Sequence, residues 1–159
     1  MNYTFRTIEA KDNLTVEKII RDCLIEYGGN HEGTAWTDPN LHRFSEIYNT
    51  PGNCYWVAED ESGQVVAGVG IGAMEDGMCE LQKMYSRPDV RGTGIAQGLM
   101  DTALHYAKDY YTSCYLETLP NMTRAQRFYE RNGFELMKEQ AGETGHFACD
   151  VRYIKYLDK

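Results

Sequence analysis

The 159-residue chain carries 42% hydrophobic and 25% charged residues and a formal net charge of −8, the balance expected of one water-soluble globular domain over residues 1–159. Its acidity argues against nucleic acid as a partner, because a phosphate backbone demands a basic footprint, and suits a cationic substrate instead. No apolar run approaches a membrane span, and MNYTFRTIEAKDN lacks the basic-then-apolar order of a secretion signal, so a cytoplasmic protein with no membrane contact is expected.

Residues 3–9 alternate as a strand. Asn13-Leu14-Thr15 leads into a helix that keeps Val16, Ile19, Ile20, Cys23, Leu24 and Tyr27 on one face until Gly28-Gly29 stops it. Asp38-Pro39 reads as N-cap and first position of a short helix burying Leu41, Phe44, Ile47 and Tyr48, ended by Pro51-Gly52-Asn53. The β-rich runs 55–59 and 64–71 flank a DESG turn, and 79–85 follows Glu75-Asp76-Gly77, which implies three successive antiparallel strands.

A helix is expected from about Ile95 to Tyr110, with Ile95, Leu99, Ala103, Ala107 and Tyr110 on one face and Met100, Leu104 and Tyr111 beside them. The strand 113–119 that follows should run parallel to its predecessor. Thr123-Arg124-Ala125-Gln126 fits a capping box, and Asn132-Gly133 fits a left-handed helix end. Two last strands, 134–140 and 146–157, flank a turn at Ala141–Gly145. The order βααβββαβαββ gives the fold class: α/β, a mixed central sheet of about seven strands flanked by four helices.

Three phosphate-binding patterns compete for the glycines. A Walker loop is excluded because no Gly-Lys-Ser/Thr occurs. Gly68-Val69-Gly70-Ile71-Gly72-Ala73 has the letters of a dinucleotide fingerprint, but a turn and a strand follow it, so it reads as a strand that bends or admits a close neighbour. Arg91-Gly92-Thr93-Gly94-Ile95-Ala96 instead opens a strong amphipathic helix, where unpaired N–H groups and the helix dipole attract anions. Gly92 and Gly94 let the backbone curl around a phosphate, and Arg91 adds charge.

Arg91-x-x-Gly94-x-Ala96 after Pro88 resembles the R/Q-x-x-G-x-G/A pyrophosphate loop of the GNAT superfamily of acyl-CoA-dependent N-acyltransferases. Cys79–Tyr85 resembles that family's fourth strand, and Asn121 followed by Ala125-x-x-Phe128-Tyr129-Glu130-x-x-Gly133-Phe134 resembles its last helix. Ala96 stands where glycine is common, and Asn121 lies one residue further from Ala125 than in the usual spacing. Gly98, inside the helix, should weaken it by about 1 kcal/mol relative to alanine unless close packing needs it.

The resemblance implies acetyl-CoA as cosubstrate, with its pyrophosphate on Arg91, Gly92, Thr93, Gly94, Ile95 and Ala96. Its pantetheine would run near 83–85 and 117–119 against the backbone of Met84 and Tyr85, and Asn121 would hydrogen-bond it unless it caps the helix. The reaction implied is direct transfer of the acetyl group to a primary amine of a small molecule or peptide; the competing class is a non-catalytic acyl-CoA-binding module. Tyr129 is the candidate acid for the departing thiolate, with core packing as its alternative.

Glu80 is the candidate base, or else a structural group or an ammonium anchor; strand alternation groups it with Gln82 and Met84, and groups Cys79, Leu81, Lys83 and Tyr85 on the other face. Glu117, His146 and Asp150 are candidate acceptor-pocket residues, and Trp36 anchors a Gly- and Thr-rich loop that would wall it. The five scattered cysteines and four histidines show no zinc-ligand spacing, so reduced, mostly buried thiols and no metal are expected. Cys79 and Cys114 have no evident base partner for a covalent route. A homodimer through the C-terminal strands, with Tyr153, Ile154 and Tyr156 contributing, is compatible with the resemblance.

Overall fold

Apolar periodicity builds the first helix as expected. In the computed structural model, which describes residues 2–138 and 151–157, α1 (Asn13–Glu26) buries Val16, Ile19, Ile20, Cys23 and Leu24. It follows β1 (Thr4–Thr7). Next come α2 (Phe44–Ile47), β2 (Cys54–Glu59), β3 (Val65–Ala73), β4 (Met78–Ser86), α3 (Ile95–Ala107), β5 (Ser113–Thr118), α4 (Thr123–Arg131), β6 (Glu135–Met137) and β7 (Val151–Tyr156). This is the α/β order read from the sequence.

The seven strands form one mixed sheet in the order β1-β2-β3-β4-β5-β7-β6. Only the β4–β5 junction is parallel, which α3 makes possible as the crossover between them. One apolar cluster lies between the sheet and α3 with Tyr129 of α4, and the other lies between the sheet and α1 with Leu41 and Phe44. Two helical layers thus cover the two faces of the sheet. No helix among the described residues is long and apolar enough to cross a membrane.

Several local expectations are corrected. No helix starts at Asp38-Pro39: Asp38 is extended at the end of a 3₁₀ turn (Ala35–Thr37), and its carboxylate is 2.8 Å from Lys83 Nζ. Tertiary pairing has taken the residue that would have capped the helix, although Leu41 and Phe44 are buried as expected. α3 stops at Ala107, so Tyr110 falls in the turn beyond it and is 49% exposed. The capping box is absent, because Thr123 is already helical and Gln126 donates to the Leu119 and Pro120 carbonyls instead.

Gly133 does take the left-handed conformation, at φ +87. Cys23, Cys79 and Cys114 are buried free thiols and Cys54 is half-buried. Of the three residues offered for a dimer contact, Tyr153 is buried and its hydroxyl donates to Glu130 at 2.7 Å; Ile154 is buried too, while Tyr156 is exposed. Residues 139–140 of the first of the last two strand predictions, the turn at 141–145, and residues 146–150 of the second, with His146, Cys149 and Asp150, lie outside the described residues.

Gly98 has a packing reason. A Cβ there would sit 2.2 Å from Cζ of Phe5, whose ring lies against α3 from β1. We expect Gly98→Ala to lower stability by about 1–3 kcal/mol through overpacking, reversing the sign that helix propensity alone would give. Urea unfolding midpoints of the two proteins check this, and a midpoint raised by the alanine would refute it.

Candidate active site

β4 and β5 pair over Met78↔Ser113, Cys79↔Cys114 and Glu80↔Tyr115 and no further. Beyond Glu80, β4 continues to Ser86 and β5 to Thr118 without pairing, so the sheet opens into a wedge. Within that stretch Gln82 faces Gly70 and Tyr85 faces Gly68, so Lys83 and Met84 together oppose Val69. This is a β-bulge, with Lys83 at φ +50.

The extra residue resets the alternation. Met84 packs with the cluster on the α3 side, and Tyr85 with the cluster on the α1 side. Gln82 Oε1 accepts from the Tyr48 hydroxyl at 2.5 Å, and its Nε2 donates to Glu80 at 2.7 Å. The grouping expected from strict alternation, Met84 with Glu80 and Tyr85 with Cys79, is thereby corrected.

A cleft of about 400 Å³ begins at β4 beyond the bulge, where Met84 and Tyr85 line it. It reaches Arg91, Gly92, Gly94, Ile95 and Ala96 at the head of α3, and Tyr129 on α4. Gly92 and Gly94 have φ of +79 and +86, and Gly94 is the α3 N-cap. The first N–H groups of α3 have no carbonyl one turn behind them, and they carry the positive end of its dipole.

Arg91 borders the cleft, and its guanidinium is already paired within the protein. Its guanidinium makes a bidentate pair with Glu26 at the end of α1, at 2.7 and 2.9 Å, and also donates to the Ser86 carbonyl at 3.1 Å. Those hydrogen bonds hold the Glu26 carboxyl below the usual carboxylate range. The charge expected to meet a phosphate is therefore largely balanced within the protein.

Tyr129 is 8% exposed, and burial pushes its phenol up to about 12. Its hydroxyl makes no hydrogen bond to another described residue. Its ring packs among Phe128, Phe134 and Tyr153, with centroids 5.9, 6.1 and 6.2 Å away.

The remaining candidates stand apart from this lining. Thr93 turns its hydroxyl to the Val90 carbonyl and to Tyr3. Asn121 donates to the Tyr27 carbonyl at 2.8 Å, tying the α4 approach to the end of α1 rather than capping α4. Glu80 is the last paired residue before the wedge, on the Gln82 side of the sheet. Glu117 accepts from the Tyr115 hydroxyl at 2.6 Å, and Trp36 stacks under Arg21, 4.9 Å from its ring centroid. His146 lies outside the described residues.

Two basic lining residues escaped the sequence reading. Arg124 and Arg131 sit seven positions apart, hence on one face of α4, and both border the cleft. Neither has an ion pair or hydrogen bond with another described residue. Their helical spacing was a readable signal. Glu26, the partner of Arg91, was not readable, since 65 residues separate the two.

Known proteins share both the sequence pattern and this architecture. The pattern of the acetyltransferase (GNAT) family matches residues 16–134. The uncharacterized N-acetyltransferase YjgM of Escherichia coli K12 is 40% identical over 157 residues, covering 96% of this chain and 93% of that protein.

Among solved structures, a GNAT-family acetyltransferase from Staphylococcus aureus Mu50 superposes with a TM-score of 0.86 at 19% identity, covering 99% of this chain and 100% of that one. A GNAT phosphinothricin acetyltransferase from Sinorhizobium meliloti, solved in complex with AcCoA, gives 0.77 at 21% identity, covering 99% of this chain and 89% of the other. The chain belongs to the GNAT acetyltransferase family.

Proposed function

We propose that the cleft binds acetyl-CoA and that the protein transfers its acetyl group directly to a primary amine. The observation that carries this reading is one continuous cleft joining the wedge after β4, the positive-φ glycines at the head of α3 and the buried Tyr129. The acetyl-CoA complex of the similar Sinorhizobium meliloti enzyme supports it.

In this reading the first N–H groups of α3 hold the pyrophosphate, and Arg124 and Arg131 add the positive charge that Arg91 shares with Glu26. The backbone of Met84 and Tyr85 orients the thioester arm. The acceptor's lone pair forms the new C–N bond as the C–S bond breaks. Tyr129 gives its hydroxyl proton to the departing sulfur, and Glu80, beside Gln82 and outside the cleft lining, receives through water the proton the nitrogen must lose.

Isothermal titration with acetyl-CoA, followed by a thiol-release screen against a panel of primary amines, tests the proposal. Binding at micromolar concentrations with turnover of at least one amine is expected. Binding with no turnover of any amine would favour a non-catalytic acyl-CoA-binding role, and absence of binding would remove both readings.

One consequence concerns Glu26. As a carboxylate held ionised by Arg91, it competes with a phosphate for the same guanidinium. Glu26→Gln should therefore tighten acetyl-CoA binding about two- to fivefold at low salt, with the gain shrinking as salt screens it. An unchanged or weakened affinity would show that Arg91 serves α1 alone.

A further inference from the structure

We infer that Tyr55, two strands away from the cleft, is a positioning residue for its thioester end. Its hydroxyl donates to the Lys83 carbonyl at 2.8 Å, and this contact holds the bulge that turns Met84 toward the cleft and Tyr85 away from the Cys79 face. The inference rests on the acetyl-CoA reading above.

The bulge needs holding. Lys83 at φ +50 is one of two non-glycine residues with positive φ among the described residues, and a lysine there is strained by about 1–2 kcal/mol. The regular alternative removes that strain, but it shifts Met84 and Tyr85 by one residue against β3 and exchanges their faces. Two contacts oppose the slip: the Tyr55 hydroxyl on the Lys83 carbonyl, and Asp38 on its ammonium group.

The reach of Tyr55 also explains the glycines of β3. Its ring starts on β2 and must cross β3 to meet β4. A Cβ at Gly68 would come within 2.6 Å of the Tyr55 ring, and one at Gly70 would come within 2.8 Å. Two glycines of the fingerprint-like GVGIG thus clear a path for Tyr55, and the third, Gly72, makes room for Gln82, whose amide would lie 2.7 Å from a Cβ there.

Phe44 and Tyr48 close over the same ring, with centroids 4.9 and 5.4 Å from it. Tyr55 is 1% exposed, and burial raises its phenol well above the ordinary value, so it stays a donor. Phenylalanine would fill this space equally well. The hydroxyl is present for the carbonyl it holds.

Tyr55→Phe and Gly68→Ala provide the test, the first removing the donor and the second displacing the ring that carries it. The probes are acetyl-CoA and 3′-phospho-ADP, which has the phosphates and no thioester arm. In both variants acetyl-CoA should bind about tenfold more weakly or turn over about tenfold more slowly, while 3′-phospho-ADP keeps its wild-type affinity. A purely structural role would lower the melting temperature and leave the ratio of the two affinities and kcat unchanged; that result in either folded variant would overturn the assignment. Wild-type protein that bound neither probe would instead overturn the acetyl-CoA reading beneath it.

Discussion

Tyr129→Phe is expected to lower kcat about 10²-fold while leaving acetyl-CoA affinity within about twofold. The ring is held by aromatic contacts that phenylalanine keeps, with Phe128, Phe134 and Tyr153 around it. The hydroxyl has no hydrogen bond to a described residue, so its loss strands no partner there. What the variant loses is the hydroxyl of a residue that lines the cleft, the donor proposed for the sulfur as the C–S bond breaks. A kcat equal to wild type would remove Tyr129 from the chemistry.

The pH profile separates this role further. Burial lifts the Tyr129 phenol to about 12, so it remains protonated as the solution passes through neutrality and well beyond. The same dry surroundings raise the basicity of a leaving thiolate, so burial shifts donor and acceptor in the same direction.

No basic limb below about pH 10 should therefore belong to Tyr129. Because the native pKa lies above the unfolded value of about 10, the group's contribution to stability is complete below pH 10 and is lost as pH rises toward 12. Tyr129→Phe should reduce the alkaline slope in melting temperature by that share, while other phenols raised by burial, Tyr55 and Tyr153 among them, keep theirs. A basic limb near pH 9 that disappears in the variant would contradict the burial argument.

How much of this was legible in the sequence follows from the range of each interaction. The fold order came from periodicity, which each segment carries within itself, and the α3 loop was legible because Gly92 and Gly94 permit a conformation few residues tolerate. The bulge left no such mark: Lys83 has positive φ without being glycine, so alternation was carried through it and placed Met84 and Tyr85 on the wrong faces. Its support comes from Tyr55, 28 residues away, and from Asp38, which the sequence reading assigned to a helix cap. The explanation of Gly98 likewise lies in Phe5, on a different element. Local chemistry was readable, and pairings across the sheet were not.

Gly94→Val should weaken acetyl-CoA binding about 10²-fold, and a matched glycine shows why the loss is not one of folding. Gly94 has φ +86 and Gly63, in the β2–β3 turn, has φ +85; a Cβ at either would meet nothing within 4 Å. Valine at both positions therefore carries the same kind of backbone strain, about 1–3 kcal/mol, with no clash at Cβ to distinguish them.

Only Gly94 caps α3 and lines the cleft, so only there does relieving the strain rotate the N–H groups that would hold a pyrophosphate. Comparable drops in melting temperature, with acetyl-CoA affinity lost in Gly94→Val and kept in Gly63→Val, are the expected pair of results. Equal affinity in the two variants would mean that the head of α3 is not where the phosphates rest.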